Sequence, residues 1–254
     1  MKFGILQSTI LEYRLEFYRL LKKEYGVDLT VCAGEVTTDS NQKTPDSVWS
    51  YATKLTNRYC FGGCLLWQGG AFTALKDQPL LIVDANLRFV STVLLVLYRY
   101  IRGLPTVAWG HAEGRSHVGK WIRKYYFKCF SGVISYTESQ QDLLRKRNPR
   151  VPVWSAFNAC LREEDCYAAE VEMEECTDFI YVGRLSDRKK PKLLLDAFIH
   201  AAKSLRLPAE ARLVVIGEGA IRPELMKQAA ESGVEGRIVF TGAIHDTKTL
   251  KQYY

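Results

Sequence analysis

Short unbroken apolar runs alternate along this chain with longer stretches whose apolar residues recur at helical spacing. Residues 3–7 read as a buried strand, and 13–25 as a helix with Leu15, Tyr18, Leu20 and Leu21 on one broad face. Gly26 supplies the usual helix stop, and 28–33 form the next strand. The polar stretch 34–58 shows neither period and is expected to be a loop with a short helix. Strand 80–84, helix 87–102, strand 106–109 and helix 118–130 follow, then strand 132–136, a helix from Glu138 and a strand at 153–155. Residues 160–176 are rich in acids and alanine without a period, as a linker would be. Beyond them the alternation sharpens into strand 178–182, helix 189–205, strand 212–216, helix 221–232 and strand 237–241.

Apolar strands alternating with amphipathic helices predict parallel sheets covered on both faces. The fold class is therefore α/β, with two doubly wound Rossmann-like domains at 1–170 and 171–254. The second is expected to be incomplete. It holds three strand–helix units, and the sequence stops at 249–254 within the start of another helix, so further sequence is expected.

Composition narrows the class. With 47% hydrophobic and 25% charged residues among 254, the chain is neither a disordered tail nor a disulfide mini-scaffold. Its seven cysteines form no CxxC pair, and Cys60 and Cys64 lie far from all four histidines, which points to free thiols in a reducing, cytoplasmic compartment. The longest apolar stretch, 89–98, falls well short of the ~20 residues that span a bilayer. The net charge is +7, of which +6 precedes residue 171, and this excess favours an anionic partner. No nucleic-acid-binding motif accompanies it. The basic run 145–150 reads as a solvated helix end or an anionic-lipid contact, and Trp67-Gln68-Gly69-Gly70 as a cleft lining or a turn.

Candidate chemistry gathers after strand 178–182. The strand runs out into Gly183 and then presents Arg184, Lys189 and Lys190 where a helix is about to begin. Open parallel sheets bind ligands at their carboxyl edges. Glycine permits close backbone approach, arginine forks onto phosphate oxygens, and a helix N-terminus favours an anion. Gly217 and Gly219 follow the next strand, and Gly242 ends the third. A diphosphate cradle and a solvated basic turn both fit these residues taken alone.

The linked series YVGRL (181–185), LLLDAF (193–198), LVVIGEG (213–219) and RIVFTG (237–242) resembles the nucleotide-sugar-binding half of retaining glycosyltransferases of family 4, which have the GT-B fold. In the first half, PTVAWGH (105–111), ISYT (134–137) and FNA (157–159) are similar to further elements of that family. Tyr13-Arg14 stands where the common first turn is glycine-rich.

The resemblance implies a metal-independent, retaining, hexosyltransferase-like enzyme with no cofactor and a nucleotide-diphosphate sugar as co-substrate. Arg184 and Lys189 would contact the donor diphosphate, with Lys190 a rival for the lysine role. Gly183, Gly217 and Gly219 would belong to the donor site, and His111 would lie near the reacting sugar. The acceptor would be a sugar or lipid-linked sugar in bacterial cell-surface polysaccharide assembly, with peripheral contact to an anionic membrane. The family's two glutamates, separated by seven residues, would lie beyond Tyr254. A non-catalytic remnant or interaction module of the same fold therefore stands as the alternative.

Overall fold

The computed structural model describes residues 1–10, 13–35, 46–110, 117–147, 149–157, 178–204, 206–244 and 247–253. The chain divides into two compact units, Met1–Tyr167 and Ala168–Tyr254. The linker expected at 160–176 lies outside the described residues.

The first unit runs β1 (Lys2–Gln7), α1 (Tyr13–Tyr25), β2 (Asp28–Gly34), β3 (Ala52–Cys60), β4 (Leu65–Gly69), α2 (Ala71–Leu75), β5 (Leu81–Asp84) and α3 (Val90–Ile101). It continues with β6 (Thr106–Trp109), α4 (His117–Tyr126), β7 (Gly132–Ser135), α5 (Glu138–Arg147) and β8 (Val153–Ser155). The sheet order is β4-β3-β2-β1-β5-β6-β7-β8, parallel except for the β3–β4 pair. Strand order reverses between β1 and β5, where Leu6 pairs with Val83. Such a reversal opens a crevice at the carboxyl ends of the two strands.

Side-chain alternation produces the two covered faces. Leu6, Leu81 and Val83 pack into one core with Leu95, Val96 and Phe127. Phe3, Ile5 and Ile82 pack into the other with Tyr18 and Val31. Within α3, Arg99 is fully buried, and five oxygens accept from its guanidinium: Thr106 Oγ1 and the carbonyls of Leu75, Lys76, Gln78 and Pro105, at 2.8–3.3 Å. A buried cation is tolerated when every donor finds an acceptor.

The structure corrects the sequence reading in several places. The stretch read as a loop holds β3, and β4 and α2 were also unread. Only Ala52 and Leu55 of β3 are buried, because the strand turns a polar flank to solvent near the sheet edge. Leu20 is 37% exposed, and Tyr18 is the fully buried residue of α1. Trp67-Gln68-Gly69 belongs to a strand rather than a turn, with Gln68 buried.

The second unit consists of β9 (Phe179–Val182), α6 (Pro191–Lys203), β10 (Leu213–Ile216), α7 (Arg222–Ala230), β11 (Ile238–Gly242) and α8 (Thr247–Lys251). Its parallel sheet has the order β11-β10-β9. The central β10 is buried throughout, and Leu213 and Val215 pack with Leu195, Phe198 and Leu225. The outer β9, read from sequence as buried, leaves Phe179 45% and Val182 42% exposed, since it has a neighbour on one side only. The helix expected from residue 189 begins at Pro191, after a single tight turn over Asp187–Lys189.

Candidate functional site

In the second unit, the loops leaving the three strands are laced together. Gly183 N donates to Ile216 O at 3.0 Å, Leu185 N to Glu218 O at 2.9 Å, and Gly217 N to Gly242 O at 2.8 Å. Glycine is required at two of these crossings. A Cβ on Gly217, whose φ is +149°, would overlap the Gly183 carbonyl oxygen, and one on Gly219 would overlap that of Leu185. The glycines singled out in the sequence thus shape this edge by letting backbones touch.

On that frame the loop 183–190 presents its cations. Arg184 lies just past β9, and its carbonyl accepts from Tyr181 Oη at 3.2 Å. Lys189 closes the turn before α6. Lys190 occupies the helix N-cap with a left-handed φ of +51°, and Pro191 follows at the first helical position. Arg184, Arg188, Lys189 and Lys190 are all exposed. Among the described residues none of these four side chains makes an ion pair or a hydrogen bond. Several other cations of the unit are matched: Arg212 with Asp178 at 2.6 Å, Lys192 with Glu224 at 2.6 Å, and Arg222 with Glu218 at 3.4 Å; Lys203 and Arg206, exposed at the far end of α6, have no ion pair among the described residues. Four unmatched cations are crowded into the segment that opens onto the N-terminus of α6, where an anion is favoured.

In the first unit, the carboxyl edge at the strand-order reversal is built differently. Gln7 ends β1 and accepts from Tyr18 Oη at 2.8 Å, while Gln68 donates its amide to the Gln7 carbonyl at 3.0 Å. Asp84 ends β5 and pairs in register with Trp109, the last residue of β6. The Arg14 guanidinium lies 4.6 Å over the Trp109 ring and donates to Tyr136 Oη at 3.2 Å. Phe17 packs 5.8 Å from Trp109. On α4, Arg123 donates to the Ala85 carbonyl at 3.4 Å. Trp109 Nε1 and Tyr126 Oη are buried with no hydrogen-bond partner among the described residues.

Burial pushes the Asp84 carboxyl up to about 6, against the opposing pull of Arg14 and Arg123. The Tyr126 hydroxyl is raised too, first by burial and then by nearby anionic groups that include Asp84. Arg14, Trp109 and Tyr136 each stand in a motif noticed in the sequence, but no local pattern showed that they converge. Asp84 was legible only as the end of a strand. His111 and the crossover pair Asn158-Ala159 lie outside the described residues.

Residues 176–254 match the family described as Glycosyl transferases group 1, so the resemblance read from the sequence is borne out over that segment. The chain is 23% identical over 156 residues to the alpha-D-kanosaminyltransferase of Streptomyces kanamyceticus. That alignment takes in 57% of this chain and 39% of the relative's length. Among solved structures, Anabaena HepE in complex with UDP and glucose matches over 98% of this chain and 71% of its own, with a TM-score of 0.58 and 14% identity. The lipopolysaccharide outer core galactosyltransferase WaaB matches over 99% and 71%, with a TM-score of 0.61 and 15% identity. The UDP-GlcNAc 2-epimerase of Neisseria meningitidis, bound to UDP-GlcNAc, matches over 99% and 74%, with a TM-score of 0.60 and 12% identity. These likenesses establish the α/β, GT-B-like fold, which transferases and epimerases share.

Proposed function

We propose that the chain is a nucleotide-sugar-dependent glycosyltransferase of the retaining kind, with its donor site at the carboxyl edge of β9–β11. The observation that carries this reading is the crowding of four exposed, unmatched cations, Arg184, Arg188, Lys189 and Lys190, into residues 184–190 at the entrance of α6. Sugar transfer from a nucleotide diphosphate builds negative charge on the departing group. Fixed guanidinium and ammonium groups stabilise that charge as it develops. Arg184 provides a planar fork for two phosphate oxygens, and Lys189 or Lys190 a mobile point charge. His111 would serve at the reacting sugar, a role taken from the family resemblance.

The acceptor is proposed to be a sugar or lipid-linked sugar of a bacterial surface polysaccharide, handled at the cytoplasmic membrane face. No helix among the described residues is long and apolar enough to cross a membrane. Surface attachment is supported by α4 and the turn Phe127–Cys129 after it, where exposed Ile122 and Tyr125 accompany exposed Lys124 and Lys128. The sequence carries no acid from residue 114 to 137 and five Lys or Arg. Exposed apolar side chains amid lysines suit an anionic bilayer surface.

Calorimetric titration with UDP-glucose, UDP-galactose and UDP-N-acetylglucosamine tests the donor site, and product analysis separates transfer from epimerisation. Binding of at least one donor by the wild-type chain, lost in Arg184→Ala, is expected. A wild-type chain that binds no member of a wider nucleotide-sugar panel overturns the assignment.

A further inference from the structure

The antiparallel hairpin β3–β4 carries a pair of thiols for which sugar transfer has no use. Cys60 ends β3, and Cys64 directly precedes Leu65, the first residue of β4 and the register partner of Cys60. Between them the chain reverses over Phe61, Gly62 and Gly63, whose φ angles of +52°, +61° and +80° are all left-handed. The Cys64 N–H donates to the Phe61 carbonyl at 3.2 Å and closes the turn. Paired antiparallel Cα atoms lie about 4.5–5.5 Å apart, which places Cys64 one diagonal step, roughly 6 Å, from Cys60. Arg88 pins this shape from the loop after β5: its guanidinium donates to the Gly63 and Cys64 carbonyls, both at 2.6 Å. Both thiols are free and exposed, whereas Cys32 is buried and Cys129 half-buried. Burial pushes the Cys32 thiol up to about 11 and raises that of Cys129, which makes each a poor nucleophile near neutral pH. Among the described residues no group of three His, Cys, Asp or Glu could hold a metal ion, so the pair lacks the further ligands of a zinc site.

We propose that Cys60 and Cys64 are a redox modification site, closing into a reversible intramolecular disulfide when the chain meets hydrogen peroxide. One thiolate attacks a peroxide oxygen, the O–O bond breaks, and that cysteine becomes a sulfenic acid as the first water leaves. The other thiolate then attacks the oxidised sulfur, the S–S bond forms, and the sulfenic oxygen departs as the second water. Two thiols are oxidised and one peroxide is reduced, and both thiol protons end in water. A Cα separation of roughly 6 Å falls within the range of about 4.4–6.8 Å that a disulfide bridges. The two glycines between the thiols give the tip freedom to adjust as the bond forms. An exposed disulfide is open to attack by small thiols, so a reducing compartment returns the pair to its free state. Neither cysteine belongs to the donor site, and the proposal stands apart from the transferase reading.

The test is peptide mapping of the full chain, treated with hydrogen peroxide, denatured with iodoacetamide to block the remaining thiols, and digested with trypsin without reductant. Cleavage after Arg58 and Lys76 leaves both cysteines in the single peptide 59–76. That peptide is expected to lose its label at both positions together and to be lighter by two hydrogens than its reduced form, while Cys32 and Cys129 remain labelled. Reduced glutathione should restore both thiols. Cys64→Ser removes the resolving thiol, so dimedone should trap a sulfenic acid at Cys60 in place of the disulfide. Closure should also be faster in the folded chain than in the chain unfolded in urea, where the hairpin no longer holds the two thiols together. Full labelling of both cysteines after peroxide overturns the proposal. So does a bond from either one to a different peptide, or equal rates of closure in the folded and the unfolded chain.

Discussion

The two carboxyl edges of this protein handle charge in opposite ways. At the β9–β11 edge the charged side chains stand in water and the backbone does the precise work, through glycines that let loops touch. At the β1–β5–β6 edge the side chains are pressed together, half-buried, with a carboxyl in the field of two guanidiniums that make their contacts elsewhere. An exposed cation keeps its hydration, so leaving four of them unmatched costs the fold little. A half-buried carboxylate loses hydration and stays charged near neutral pH only because arginines stand close by. The cations of the first edge can therefore be removed without harm to folding, while at the second edge charge, pH and stability are linked.

The largest expected effect breaks the backbone of the first of these edges. Gly217→Ala combines a φ of +149° with overlap on the Gly183 carbonyl, and should cost about 3 kcal/mol or more in thermal or urea denaturation. Gly236→Ala, with open space around its Cβ, should lie within about 0.5 kcal/mol of wild type. A comparable loss in both would dismiss the lacing as the reason for glycine at 217. Next comes Arg184→Ala. It should weaken UDP binding by roughly 1.5–3 kcal/mol, about tenfold to a hundredfold, and leave the melting temperature unmoved. A large drop in stability would contradict its exposed, unpaired state.

Asp84 sharpens the comparison through its sign. Its carboxyl ordinarily titrates at 3.8 and is raised to about 6 in the folded chain. Between those values the folded state holds a proton that the unfolded state has released, so Asp84 makes the protein more stable as pH falls through that window. Above it the ionised group opposes folding. Asp84→Asn should therefore stabilise the neutral-pH protein by about 1–3 kcal/mol and remove this pH dependence from denaturation curves. Unchanged stability at pH 7 would show the carboxyl to be well hydrated. The smallest effect concerns the turn that follows α4. Lys128→Ala should reduce sedimentation with phosphatidylglycerol vesicles by about 1 kcal/mol and leave binding to neutral vesicles as it was.

Much of the fold was legible because most strands are covered on both faces and so read as continuous apolar runs. The strands β5, β6, β7 and β10 follow that rule. The hairpin β3–β4 does not: its residues 56–60 are largely exposed, and a polar strand resembles a loop until its neighbour is known. Helix α6 was readable, but its start was not, because the turn Asp187–Lys189 and the left-handed Lys190 precede it. The rivalry between Lys189 and Lys190 survives in the structure, since both stand exposed at the same helix entrance.

Local order along the chain was enough to announce a strand, glycine, arginine, lysine, helix succession and to place its cations within seven residues. Positions 14, 84, 109 and 136 carry no such announcement. They become neighbours only when parallel strands align at their carboxyl ends and α1 folds back over that edge. The same holds for Arg99, whose five acceptors come from α2, the loop after it, and the start of β6. The physical reason is one of range: turn chemistry and hydrophobic period act over a few residues and are written there, whereas burial of a charge depends on partners that the strand register alone brings together.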